Sequence, residues 1–141
     1  MRILCLDIGD RKIGVAVSDE GKSIARGLGN IMKDGSEVKK ICVLAQEYKA
    51  ESIVYGLPLR MDGSMSAQTE KSIAFIAKLK EVLVLPFIPF DERLSSKQAD
   101  TILIEADLSR KKRKKLIDRL SAQIILQNYL DSEKDFDEES L

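Results

Sequence analysis

Ile3-Leu4-Cys5-Leu6-Asp7-Ile8-Gly9, followed after three residues by Ile13-Gly14-Val15-Ala16-Val17-Ser18-Asp19, decides the fold of this chain. Runs of apolar and β-branched residues read as buried strands. Glycine between them allows a tight turn and a close backbone approach, so the pair reads as a hairpin. Asp7 sits inside the first run, where an uncompensated carboxylate costs several kcal/mol. A divalent cation, or a metal carried by phosphate, is the simplest compensation. Backbone N–H groups or a salt bridge would also satisfy it.

Working outward, a third strand is expected over about 24–31, weakened by Gly27 and Gly29 in the manner of a bulge or an edge. Asp34-Gly35-Ser36-Glu37 has the spacing of a capping box opening a helix. Val38, Ile41, Cys42, Ala45 and Tyr48 then recur at helical spacing, to about Lys49. Ser52-Ile53-Val54-Tyr55-Gly56-Leu57 is a fourth strand, ended by Pro58. The polar stretch from Arg60 to Ser66 is a loop. A second helix follows from about Ala67 to Lys80, with Ile73, Ile76, Ala77 and Lys80 on one face. Val84 to Phe90 is a fifth strand, confined by Pro86 and Pro89 to an edge or a short length. Ser95 or Ser96 caps a third helix to about Ala106, and Ser109 caps a last one to about Leu130. Hairpin-paired strands followed by helical crossovers give an α/β fold with a mixed sheet flanked by helices.

The 141 residues make one domain, placed over 1–130, with residues 131–141 as an acidic and disordered tail. That tail holds six acids and one lysine; the rest carries 22 basic against 17 acidic residues. The zero net charge therefore hides a basic body, densest at Arg110-Lys111-Lys112-Arg113-Lys114-Lys115. Such a block suits a polyanion, although a solvated helix face has the same composition. No apolar run nears the roughly 20 residues of a membrane span. No charged-then-apolar leader opens the chain, so the cytoplasm is the expected compartment. Cys5 and Cys42 have neither metal-site nor disulfide spacing and read as buried thiols. The chain has no histidine, which excludes a Ser-His-Asp triad, a Cys-His pair and His-ligated zinc.

Three acids stand out: Asp7 in mid-strand, Glu92 at the end of the fifth strand, and Asp118 in the last helix. At ~100° per residue Asp118 shares a face with Ala122, Ile125 and Tyr129, which should pack on the sheet. Strand carboxyl ends are where α/β sheets build sites. Three inward carboxylates without histidine point to a hard cation, Mg²⁺ or Mn²⁺. Two such ions ~4 Å apart can serve an in-line phosphoryl displacement. Lys12, Lys114 and Lys115 could neutralise the phosphodiester. Simpler readings exist for each. Asp91-Glu92-Arg93 has the form of a strand-end turn with a local ion pair, and Asp118 can pair with Lys114 or Lys115 along the helix. Ser95-Ser96 reads as a cap, since no base is present to activate a nucleophile.

Asp7-Ile8-Gly9 with Lys12 to Asp19 resembles the opening signature of the YqgF (RuvX) family, bacterial proteins described as Holliday-junction-resolvase-like or as pre-16S rRNA nucleases. Gly56-Leu57-Pro58-Leu59 with Met61-Asp62-Gly63-Ser64, then Asp91 to Ser96, then Lys115 and Asp118 with Ala122, Ile125 and Leu126, resemble its later blocks in order. Lys12 stands where arginine is usual and Arg60 where asparagine is common. Ser95-Ser96 replaces a threonine pair, Ser121 an alanine, and Met65-Ser66 a glycine-containing loop end.

The resemblance implies an RNase H-like five-stranded mixed sheet of order 3-2-1-4-5. It also implies a metal-dependent endonuclease with Asp7, Glu92 and Asp118 as catalytic and metal-holding residues, using Mg²⁺ or Mn²⁺. Lys12, Arg60, Arg93, Lys111, Lys112, Lys114 and Lys115 are the expected nucleic-acid contacts. The expected substrate is precursor 16S rRNA in ribosome maturation, or else branched DNA; a homodimer would place two sites on either. An Asp-x-Gly hairpin also occurs in actin-like ATPases and sugar kinases, but those need two such domains. A binding module without catalysis would gain nothing from acids facing phosphate.

Overall fold

The computed structural model describes residues 1–92, 109, 112 and 120–133. Its elements run β1 (Arg2–Ile8), β2 (Lys12–Ser18), β3 (Ala25–Met32), α1 (Glu37–Glu47), β4 (Ala50–Leu57), α2 (Ala67–Val82) and β5 (Phe87–Asp91). A C-terminal helix is described over 120–133. The strands form one mixed sheet of order β3-β2-β1-β4-β5, as expected. β1, β2 and β3 pair antiparallel in sequence, and β4 and β5 join β1 in parallel. Three parallel strands therefore end at one edge of the sheet, bringing Asp7, Gly56 and Asp91 to the same end.

Period-two alternation along β1 divides the core. Leu4, Leu6 and Ile8 face α1 and α2, packing with Ile41, Ala45, Phe75, Ile76 and Leu79. Ile3 and Cys5 face the opposite layer with Val54, Ala122, Ile125, Leu126 and Leu130. Asp7 continues this second row, so the C-terminal helix and Asp7 share a face of the sheet.

β3 behaves as its glycines imply. It is an edge strand, and its register with β2 shifts where Val15 pairs Gly29 and Ala16 pairs Gly27, leaving Leu28 bulged. Gly29 takes a φ of 102°, open to glycine but costly for other residues.

Several expectations need correction. The capping box at Asp34 and Glu37 does not form: Ser36 is the N-cap, without a side-chain cap bond. Asp34 instead folds locally onto the Ser36 N–H at 2.9 Å, and Glu37 accepts from Gly35 N–H. The box appears on α2, where Ser66 Oγ accepts from Thr69 N–H at 3.2 Å and Thr69 Oγ1 from Ser66 N–H at 3.0 Å. The buried face of α2 is Thr69, Ser72, Phe75, Ile76 and Leu79, with Ile73, Ala77 and Lys80 outside it. Thr69 is admitted to that face because its Oγ1 donates to Pro58 carbonyl at 2.6 Å and accepts from Ser66 N–H. β5 begins at Phe87, three residues later than expected, because Pro86 has no N–H to add to a ladder. Cys42 is half-buried rather than buried, lying beside the buried stripe of α1.

The third helix expected from Ser95 or Ser96 to Ala106 lies outside the described residues. Ser109 Oγ accepts from Lys112 N–H at 3.3 Å, the expected N-cap pattern. The C-terminal helix continues through Glu133, and residues 134–141 of the expected tail lie outside the described residues. Among the described residues no helix is long and apolar enough to cross a membrane.

Candidate active site

The site begins with the β1–β2 turn. Gly9 N–H donates to Lys12 carbonyl at 3.0 Å, and a Cβ on Gly9 would stand 2.8 Å from that oxygen. Only glycine lets the turn close this tightly. It holds Asp7 opposite Gly14 in the ladder, where a Cβ on Gly14 would contact Asp7 Cβ, Asn30 and Ala122 at 3.4–3.5 Å. Helix α2 anchors the same end, with Gln68 Nε2 donating to Ile8 carbonyl at 3.0 Å.

Glu92 follows β5 directly. Its N–H donates to Leu57 carbonyl at 3.1 Å. Its side chain lies across Gly56: a Cβ built there would be 2.6 Å from Glu92 Cδ and 2.7 Å from Cγ. The missing side chain at Gly56 is thus the space that Glu92 occupies on its way to Asp7, to which it is hydrogen-bonded. Burial first, then the bond to Asp7, its charge and that of Asp91 push the Glu92 carboxyl from its ordinary 4.5 up to about 9. Cys5, deeper on the same face, is raised by burial and then by the charges of Asp7 and Glu92, which makes it an inert thiol.

Two carboxyl groups forced together must share a proton or hold a cation. The donors are all oxygen and the chain has no histidine, so the pair fits a hard divalent ion such as Mg²⁺ or Mn²⁺. Among the described residues no third acid, cysteine or histidine joins it. Asp118, the expected third member, lies outside the described residues.

The remaining expected residues divide similarly. Lys12, the first residue of β2, and Arg60, in the loop after β4, are exposed, as is Lys112 on its helix. Arg93, Lys111, Lys114 and Lys115 lie outside the described residues. Sequence reasoning passed over Gly56, although a glycine inside an apolar strand signals close approach of another group. It also passed over two exposed cations at this end, Arg11 in the turn and Lys71, which pairs with Asp10 at 3.5 Å.

A pH signature follows from Glu92. Its folded-state value lies above its unfolded one, so the stabilisation it brings is complete below about 4.5 and is lost as pH rises through about 9. In thermal unfolding with chelator present, the parent should lose melting temperature over that window while Glu92→Gln, locked in the protonated shape, should lose less. Parallel curves would show that Glu92 is not held protonated.

A family model described as "RuvX: Holliday junction resolvase" matches residues 1–132. The chain belongs to the RuvX family. RuvX relatives that carry the name "Putative pre-16S rRNA nuclease" include one from Caldanaerobacter subterraneus subsp. tengcongensis, 50% identical over 137 residues, spanning 95% of this chain and 99% of the relative. Another, from Desulforamulus reducens, is 48% identical over 134 residues, spanning 94% and 98%. Among solved structures, Thermus thermophilus RuvC aligns with a TM-score of 0.59 at 14% identity over 96% of this chain and 97% of its own. The fowlpox virus Holliday junction resolvase aligns at 0.54 and 15% identity over 94% and 99%. At those identities the likeness is one of fold, and it makes the RuvX sheet RNase H-like.

Proposed function

We propose that this RuvX-family protein is a divalent-metal-dependent endonuclease that hydrolyses phosphodiester bonds in structured RNA, trimming precursor 16S rRNA in the cytoplasm. The observation that carries the reading is the half-buried Asp7–Glu92 pair, its two carboxyl groups hydrogen-bonded, at the carboxyl end of the sheet. Such a pair is satisfied either by a shared proton or by a cation, and oxygen-only donors suit a hard divalent ion. Near-full-length relatives named for pre-16S rRNA direct the choice of substrate.

Asp7, Glu92 and Asp118 would hold the metal. Asp118 stands four residues before Ala122, which packs beside Gly14 on the Asp7 face, and helical spacing would direct both to that face. When bound, Mg²⁺ or Mn²⁺ supplies charge to the phosphoryl oxygens and acidifies a water, as one ion or a two-ion pair. Glu92, as a carboxylate, would be a metal ligand and would orient the attacking group. Lys12, Arg60 and Arg93 offset phosphate charge. The products should carry 5′-phosphate and 3′-hydroxyl ends.

A second reading, resolution of branched DNA, is favoured by the family model's description and by the RuvC-like fold. Sequencing the ends of products cut from total RNA and from synthetic four-way junctions separates the two. Discrete cuts near the 16S 5′ end, with junctions left intact, are expected. Cutting of junctions alone would replace the RNA reading with the second one. A homodimer would place two sites on either substrate.

The basic block gives a further expectation. Replacing Lys111, Lys112 and Lys114 with alanine should weaken RNA binding and lower the slope of log K against log salt by about 2–3, roughly one for each phosphate no longer neutralised. An unchanged slope in a filter-binding series would move the anion surface elsewhere.

A further inference from the structure

The loop between β4 and α2, residues 58–66, is closed by its own hydrogen bonds and carries two exposed methionines. Gly63 N–H donates to Arg60 carbonyl at 2.8 Å and Arg60 N–H to Ser64 carbonyl at 2.9 Å, closing a small hairpin. Asp62 Oδ1 accepts from Ser64 N–H at 2.9 Å and from Ser64 Oγ at 2.6 Å. Gly63 takes a φ of 87°, which the turn needs. At the base of the loop Pro58 carbonyl accepts from Thr69 Oγ1 at 2.6 Å. On this fixed scaffold Met61 is 76% exposed and Met65 48% exposed, with Arg60 exposed beside them.

Both stems of the loop are tied to the carboxyl pair. One leaves β4 directly after Gly56 and Leu57, which contact Glu92. The other enters α2, whose Gln68 is bonded to Ile8, the residue after Asp7. The exposed methionines thus stand on a hydrogen-bonded loop whose two ends leave from the acid end of the sheet. A thioether chain is unbranched, polarisable and makes favourable contacts with aromatic rings. Apolar side chains inserted at a base step unstack it and kink the helix.

We propose that Met61, backed by Met65, is a wedge that parts the base step beside the scissile phosphate of structured RNA, while Arg60 holds the neighbouring phosphate. The inference rests on the nuclease reading and names how that site selects and opens its substrate. Met61 is a positioning residue. It touches bases, not the reacting atoms.

The test uses two RNAs that differ only at the mapped cut: one fully paired there, one with the flanking base already unpaired. In single-turnover cutting, Met61→Ala should slow the paired RNA by about tenfold and the opened RNA by less than about twofold, and Met61→Leu should restore the paired rate. Equal slowing of both, or of neither, would overturn the wedge. A second readout needs no cleavage. In the Asp7→Asn background, 2-aminopurine at the step should brighten on binding, and adding Met61→Ala should abolish the brightening at saturating protein. Brightening that survives Met61→Ala overturns the wedge with the nuclease reading intact. Failure of the parent to cut with Mg²⁺ or Mn²⁺ overturns the nuclease reading and the wedge with it, since the cut defines the step.

Discussion

Asp7→Asn should reduce single-turnover cutting by at least about 10²–10³-fold, the usual cost of losing one group that stabilises transition-state charge, while leaving the fold and RNA affinity intact. The substitution is nearly isosteric, so the packing around β1 is kept. It removes the charge that Glu92 must tolerate, and the new amide can donate to the Glu92 carboxylate. The Glu92 carboxyl should then fall from about 9 toward its ordinary value. Melting temperature without metal should therefore equal or exceed that of the parent, the usual exchange of stability for function at a strained site. Cutting measured against a gel-shift affinity and a thermal melt separates the cases. Cutting at the parental rate by a folded variant would remove Asp7 from the chemistry. Loss of folding would make its role structural.

Gly56→Ala should damage the site almost as severely with little effect on folding. Gly56 is not among the glycines with positive φ, so alanine fits the backbone. Filling a strand glycine can even stabilise by about 0.5–1 kcal/mol. The new methyl, however, would stand 2.6 Å from Glu92 Cδ. The flexible end of Glu92 must swing aside, and overpacking of this kind costs about 1–3 kcal/mol when nothing can move. Since the carboxyl can move, the penalty falls on geometry. A displacement of about 1 Å in a catalytic group can cost about 10²-fold in rate. The expected result is a melting temperature within a few degrees of the parent, a cutting rate down by about 10²-fold, and a loss of the raised Glu92 titration. An active Gly56→Ala variant would mean that Glu92 need not lie over Gly56.

The pairing of β1 with β2 was legible from residues alone, because apolar alternation and the intervening glycine dictate a hairpin. The bulge at Leu28 was legible too, since Gly27 and Gly29 cannot serve a regular strand well. The sheet order came from the family resemblance, whereas Glu92 stood out by its place at the end of the fifth strand, although spacing alone also allowed a plain strand-end turn. What separates the two acids is the empty position at Gly56, and that vacancy is only visible once β4 and β5 are aligned. The α1 capping box failed for a local reason: Asp34 and Glu37 found backbone partners within the turn itself. The α2 face was misassigned because Thr69 and Ser72, not Ile73, complete the stripe around Phe75, Ile76 and Leu79.

The central claim is that Asp7, Glu92 and Asp118 form a single cation site. Calorimetric titration of the full chain with Mn²⁺, in two buffers of different ionisation enthalpy, tests it most directly. The account predicts saturable binding near pH 7 with release of about one proton, the one Glu92 carries, and loss of that binding in Asp7→Asn, Glu92→Gln and Asp118→Asn alike. Binding that is unchanged in Asp7→Asn, or that releases no proton, would contradict it.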